Sequence, residues 1–581
     1  MLKKYVDAAI CRNQCDIALK NASYVDVFSG KVRKGDIGIC GDKIVGVGEY
    51  GAKEEIDASG LIVCPGFIDG HVHIESSFLT PEEYAGAVVP RGTTCVIADP
   101  HEITNLCGLE GAEYIARASK NVPLEVKVML PSCVPATPFE TSGATLSADD
   151  IKGAIGKEQF FGLGEFMNFP AVISGDKEAL GKAEAARSHG KICDGHAPSL
   201  RGNALNAYIC GGIATDHECE SAEEIDEKIS KGMYIHLRHG SSARNLQYNA
   251  KAVTAANARR FLMCTDDCHA EDLLKHGHID EALRVAVKSG LDPVTAVTIA
   301  TLNSAECYHL KGRGAVAPSY FADLAVVDNL KDFNVKYVFK NGVLVAKDGK
   351  PLFDCSARYI PDCVKNTVRL ARVLTAEDFA IPVKGNKVRA IGVRGGSIVT
   401  DSLVEEVRTL GGEPDGENFG DVALDGTDLN KLFVIERHKL TGNIGRGLIK
   451  GYGFKGGAIA ITVSHDSHNI IALGDDNESL AKAVNELSKI GGGMAIAQKA
   501  TGKVHSLALD IGGIMTSSPL SEHVKNSEKL YALAYSMGVK RELDAFMSLA
   551  FLSLAVIPHL KLLDTGLFDV DKFAFTPLEA D

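Results

Sequence analysis

The chain has 581 residues, 45% hydrophobic and 24% charged, with 75 acidic against 62 basic side chains and a formal net charge of −13. That length gives two to four domains with ample core, while the charge argues against a nucleic-acid or anionic-membrane surface. No apolar run approaches the roughly 20 residues needed to cross a bilayer.

Residues 14 to 64 read as short alternating strands with glycine turns, over Asp16–Leu19, Ser23–Val27, Asp36–Ile39 and Lys43–Val47. This pattern predicts a small antiparallel sheet. Residues 65 to about 315 alternate apolar strands with helical stretches such as Pro81–Val89 and Ser221–Ser230, which is the βα pattern. Short strands return over Asp323–Asp328, Val335–Phe339 and Gly342–Ala346, with an Asn341-Gly342 turn, and these are expected to complete the N-terminal sheet. The remaining ~200 residues form a glycine-rich zone of mixed strands and helices. The N-terminus, Met-Leu-Lys-Lys-Tyr-Val-Asp, has no signal-type apolar stretch. Fifteen scattered cysteines without a C-x-x-C then read as reduced thiols in a cytoplasmic protein.

Eight apolar runs in the first half each end in a polar cluster. The ends are His71-Val72-His73, Asp99 to Glu102, Ser132-Cys133, Glu165, Asp194-Gly195-His196, Asp216-His217, Arg238-His239 and Thr265-Asp266-Asp267. Strand alternation points both histidines of an H-x-H to one side, and a parallel barrel brings the C-terminal ends of its strands to one place. The fold class is therefore α/β. It comprises a metal-dependent (β/α)8 TIM-like barrel over 65–315, a small β-sandwich domain from 1–64 and 316–375, and a C-terminal α+β domain over 376–581. His71, His73, His196 and His217 with Glu165 and Asp266 make four imidazoles and two carboxylates. That set suits two divalent ions of borderline softness, Mn2+, Fe2+ or Zn2+. A carboxylate from Glu165 would bridge them at roughly 3.5–4 Å, and Asp266 could accept a proton from activated water and pass it to a leaving nitrogen.

These residues carry a resemblance. Pro65–His73 looks like the first-strand motif of the amidohydrolase superfamily. Ile74–Ser77, Ala98–Glu102, Gly164–Asn168, Asp194–Pro198, Cys264–Asp267, Gly442–Gly445 and Val463–Asn469 resemble the bacterial and archaeal type of adenine deaminase over nearly the whole length. The resemblance implies hydrolytic deamination of adenine to hypoxanthine and ammonia in purine salvage, by hydroxide activated on a binuclear centre, most often of manganese or iron. It implies His71, His73, Glu165 and Asp266 on one ion and Glu165, His196 and His217 on the other. The glutamate bridge departs from the carboxylated lysine common in the superfamily. Asp266 is favoured over Asp267 as the ligand because it comes first after the apolar run; Asp267 would orient substrate or a neighbouring histidine. Asp99, His101 and Glu102 are candidates for contacting the purine or holding an additional ion, with Glu102 also a candidate acid. Arg238, Ser241 and Ser242 are candidate donors to the ring nitrogens. Adenine is the expected partner, and a homodimer the expected assembly.

Two rivals are another cyclic amidine or amide hydrolase and a non-catalytic scaffold; the complete ligand set argues against the latter. Gly46–Gly51 and Gly451–Gly456 both match G-x-G-x-x-G but sit in no recognisable βαβ unit. His73-Ile74-Glu75 lacks the P-C-x-x-C partner of the other zinc deaminase fold. His465 and His468 could belong to a lid or to structural hydrogen bonds, and Phe546–Ile557 reads as core or a subunit contact.

Overall fold

The computed structural model describes residues 2–241, 243–410 and 420–580. The chain divides into two compact units. One holds residues 1–100, 113–132 and 147–359, and the other holds 101–112, 133–146 and 360–581.

The first unit is built on eight parallel strands: β1 (Phe67–His73), β2 (Thr93–Ala98), β3 (Glu125–Leu130), β4 (Phe160–Phe166), β5 (Cys193–Gly195), β6 (Thr215–Asp216), β7 (Tyr234–Arg238) and β8 (Phe261–Cys264). Each pairs in parallel with the next, β5 meeting β6 through Cys193 and Ile213. The ring closes where Asp266 and Asp267 pair with Val72 and His73. Strands such as Thr-Thr-Cys-Val-Ile-Ala and Phe-Leu-Met-Cys are buried throughout. Near-continuous apolar runs are what a parallel sheet covered on both faces demands. Helices return the chain between strands and start at clear caps. Thr80 accepts from Glu83 N ahead of Pro81–Val88, and Ser221 accepts from Glu224 N ahead of Ala222–Ser230.

The strands before and after the barrel do meet. Leu324–Val327 runs antiparallel to Ile62–Pro65 in a seven-stranded sheet, beside a four-stranded sheet of Cys15–Lys20, Asp36–Cys40, Lys43–Gly48 and Ala52–Asp57. Leu19, Ile37, Ile39, Val63, Leu324, Val326 and Phe339 form the shared core of this sandwich. The hairpin turn has positive φ at both Asn341 (49°) and Gly342 (77°), the geometry that favours Asn-Gly.

The second unit centres on an eight-stranded sheet whose inner strands include Leu429–Ile435, Ile470–Gly474, Gly457–Ile461 and Gly493–Gln498. Helix Asn477–Ile490 lays Leu480, Val484 and Leu487 on Phe433, Ala460 and Ala472, the expected apolar stripe of a half-covered helix. Phe546–Ile557 is broken into two short helical turns, Met547–Ala550 and Phe551–Ser553, both buried. Both G-x-G-x-x-G segments lie against strands, not helix starts: Gly46 is within Lys43–Gly48, and Gly456 precedes Gly457–Ile461. Among the described residues no helix is long and apolar enough to cross a membrane.

Candidate active site

The barrel's C-terminal strand ends bring six predicted residues together. Glu165, at the end of β4, has histidines on both of its oxygens. Oε1 lies 3.2 Å from His73 Nε2 and 3.7 Å from His71 Nε2. Oε2 lies 2.8 Å from His196 Nδ1 and 3.4 Å from His217 Nε2. Asp266 Oδ1 completes the first group, 3.0 Å from His73 Nε2 and 3.5 Å from His71 Nε2. The ligand atoms of His71, His73 and Asp266, and those of His71, Glu165 and His217, lie within 4.8 Å of one another. This donor set fits divalent cations, with separated imidazole pairs facing different oxygens of one carboxylate.

Local sequence makes this convergence possible. Glycine precedes Glu165 and His196, at points where other groups approach the backbone too closely for a side chain. A Cβ on Gly164 would lie 2.2 Å from Asp99 Oδ2, and one on Gly195 would lie 2.3 Å from Thr215 O. Asp99 therefore sits close to the β4 backbone; its carboxylate accepts from Glu165 N at 2.7 Å and its carbonyl meets His73 Nδ1 at 2.8 Å. A carbonyl partner on the far ring nitrogen fixes which nitrogen of His73 faces the site. Asp266 adopts a left-handed backbone, φ 61°, a conformation that costs a non-glycine residue of the order of 1–3 kcal/mol. That turn aims Asp266 at the histidines, while Asp267 accepts from Ser76 Oγ at 2.5 Å.

The electrostatics are those of a strongly coupled cluster. Burial opposes charge on Glu165, yet His196, His217 and His73 hold its pKa well below the carboxylate range. Burial likewise opposes charge on Asp266, and Arg238 with His71 and His73 outweighs it. For His217 burial is again overcome, chiefly by Glu165, and its pKa is pushed up to about 9. Burial dominates at His71, whose pKa falls.

Several functional side chains were not foreseen from sequence. Glu218 follows His217 and lies 3.8 Å from its ring and 3.9 Å from His196 Nδ1. It is ion-paired with Arg238, which also donates to Asp266 Oδ2 at 2.6 Å. Arg238 thus binds two acids of the site, where a role toward substrate was expected. The signal available was adjacency to a ligand histidine. Lys228, fully buried, joins two strand ends by donating to Asp216 Oδ2 (2.5 Å) and to Ala197 O (2.8 Å), and also to Glu224 Oε1 (2.5 Å). Asp69 accepts from His71 N (3.1 Å) and Thr265 Oγ1 (2.5 Å) and pairs with His278 (3.0 Å).

The other predicted residues are placed differently. Ser241 Oγ donates to Asp272 and accepts from His269 N; Ser242 lies outside the described residues. His101 and Glu102 belong to the second unit, apart in the chain's division from Asp99. There Glu102 is gripped by His465 Nδ1 and His468 Nε2, both at 2.5 Å. His101, Glu102 and Asp466 offer ligand atoms within 4.8 Å of one another. Burial raises the pKa of Glu102, but His465, His468 and His101 bring it well below normal.

A closed parallel barrel with a carboxylate shared between histidine pairs at its strand ends is the architecture of a hydrolase of the amidohydrolase class, and residues 62–345 match the Amidohydrolase family. Residues 398–574 match the Adenine deaminase C-terminal domain. An adenine deaminase of Clostridium acetobutylicum is 46% identical over 577 residues, covering 99% of both chains. One from Halalkalibacterium halodurans is 42% identical over 584 residues, covering 99% of this chain and 97% of its own. The chain belongs to the adenine deaminase family. Among solved structures, the zinc-complexed atrazine chlorohydrolase TrzN of Arthrobacter aurescens is 15% identical with a TM-score of 0.46, covering 58% of this chain and 97% of its own.

Proposed function

We propose that the chain hydrolyses adenine to hypoxanthine and ammonia, in purine salvage, with two divalent cations held by His71, His73, Glu165, His196, His217 and Asp266. The observation that carries the reading is the division of Glu165, one oxygen facing each histidine pair, in a chain that aligns end to end with adenine deaminases. Manganese or iron best suits this mixed imidazole–carboxylate set, with zinc possible on the same ligands. Bound there, the cations would supply Lewis acidity and draw the pKa of water toward neutrality.

The protein's own groups handle protons and orientation. Water adds to C6 of adenine, the ring nitrogen N1 gains a proton, and the amino group leaves as ammonia. Asp266 takes one proton of the water at Oδ1, beside His71 and His73, and then the second as the C6 hydroxyl becomes the carbonyl, delivering one to N1 and the other to the leaving nitrogen. Arg238 keeps the other oxygen, Oδ2, occupied, so one oxygen alone is free to exchange protons. Glu218, fixed by Arg238 near His196 and His217, is placed to accept from an N–H of the purine. The cytoplasm is the proposed location, in keeping with fifteen free cysteines and no disulfide among the described residues.

The test is direct. Manganese-loaded protein should convert adenine to hypoxanthine with stoichiometric ammonia release and should discriminate against adenosine by ~10⁴ in kcat/KM, because a ribosylated N9 would leave buried polar groups unpaired. Preferential hydrolysis of dihydroorotate or hydantoin would overturn the reading.

A further inference from the structure

Within the second unit, segments 133–146, 464–469 and 553–564 line a narrow gap with no room for a water molecule. Its lining is mostly oxygen-bearing: Glu140, Ser464, Ser467, Asn469, Ser553 and Asp564. Two of these residues carry buried oxygens, Ser467 Oγ and Asn469 Oδ1, that lack a hydrogen-bond partner among the described residues. Ser467 is 2% exposed and Asn469 3% exposed. The orientation of Asn469 is set by its other end, since Nδ2 donates to Thr141 O at 2.8 Å. Reversing the amide would set oxygen against oxygen there. Ser467 lies near enough to Glu140 to favour its ionised form, without forming a hydrogen bond of normal geometry.

The charges are equally unresolved. Glu140 accepts one weak bond, from Thr137 Oγ1 at 3.3 Å. Asp564 accepts from Thr141 N at 3.0 Å and Asn443 Nδ2 at 3.3 Å. Neither carboxylate forms an ion pair among the described residues. Burial, with Asp466 and Asp564 nearby, pushes Glu140 up to about 8, so the pocket requires either a proton or a cation. Buried carboxylates without compensation are too costly to persist.

Size and donor chemistry choose between ligands. Calcium sits 2.3–2.6 Å from oxygen, nearer than the ~2.8 Å of a hydrogen-bonded water, so a space too tight for water can take a bare ion. Magnesium retains its waters and would not fit. No nitrogen or sulfur ligand is present to favour zinc or copper. We propose that this gap is a structural calcium site, with Glu140 and Asp564 as the charged ligands and Ser467 Oγ and Asn469 Oδ1 as the neutral ones. The ion would fasten the loop carrying His465 and His468 to segments 133–146 and 553–564, independently of the barrel's metal ligands.

The experiment uses the full-length protein loaded with manganese and then freed of calcium. CaCl2 is titrated against choline chloride of equal ionic strength, reading the thermal midpoint and calcium by elemental analysis. One calcium per chain and a midpoint rise of roughly 5 °C at saturation are expected, with magnesium giving less than a tenth of the response. Glu140→Gln should abolish both signals while manganese content stays constant. If that variant does not fold, Ser467→Ala, which removes one oxygen and no charge, should weaken calcium binding about tenfold. A wild-type protein that binds no calcium overturns the proposal. So does a Glu140→Gln protein that unfolds at or above the wild-type midpoint, because that result identifies the missing positive charge as a proton.

Discussion

At the scale of single residues, the site turns on how carboxylates divide their oxygens. Glu165 spends one on each histidine pair, so Glu165→Gln keeps the shape but removes the charge that faces both pairs. Metal content should fall below two ions per chain and turnover should collapse; elemental analysis alongside a turnover assay checks both. Asp266 instead splits between the histidines and Arg238. Asp266→Asn should lose at least ~100-fold in kcat, the usual contribution of a positioned proton carrier, while an inert adenine analogue still binds. Asp267→Asn, which keeps an amide oxygen to accept from Ser76 and loses only the charge, should fall far less. A reversal of that order in steady-state kinetics would show that Asp267 is the proton carrier.

At the scale of elements, strand ends were legible and their supports were not. An apolar run ending in His, Glu or Asp announces itself in sequence, because a strand buried on both faces has no other reason to finish on such residues. What the sequence conceals is which way the chain turns next. Glu218 reads as one acid in a polar stretch until the turn after β6 brings it to Arg238. Asp99, His101 and Glu102 read as one cluster, yet the helix His101–Cys107 takes the last two into another unit. Lys228 hides best. Glu224 and Lys228 stand four apart on an amphipathic helix, which normally marks a solvated surface pair, yet both are buried. Because Lys228 ties the Ala197 carbonyl beside His196 to the Asp216 carboxylate beside His217, Lys228→Met should act at a distance. Removing one partner of a buried pair costs about 3–5 kcal/mol, so the thermal midpoint should drop sharply. A divalent cation held through His196 and His217 should be lost first in a chelator titration. An unchanged midpoint would remove Lys228 from this role.

At the scale of the whole molecule, stability should depend on pH through an unpaired cation. Lys561 is fully buried and, among the described residues, donates only to the carbonyls of Ile398 and Phe551, at 3.0 Å each. Burial lowers its pKa from 10.5 to about 7. Between those values the unfolded chain holds a proton that the folded chain releases, so this residue's contribution to stability rises with pH and its penalty is greatest below about pH 7. Lys561→Met carries a constant offset from two lost hydrogen bonds. Its midpoint relative to wild type should nevertheless be highest near pH 6 and fall steadily toward pH 10. A flat difference across that range, measured by calorimetry, would exclude the titration.

The alternation of the two units along the chain also has a consequence in time. Residues 101–112 and 133–146 are made early, but the rest of their unit begins only at residue 360. A ribosome adding ~5–20 residues per second needs roughly 10–50 s to cover the interval of about 210–250 residues between them. Throughout that wait, buried residues such as Ile103, Leu106 and Leu146 have no finished core to enter. The nascent chain must therefore be shielded while its ends are still being written, and a gene cut anywhere between residues 146 and 360 would part the second unit's early segments from the rest of it.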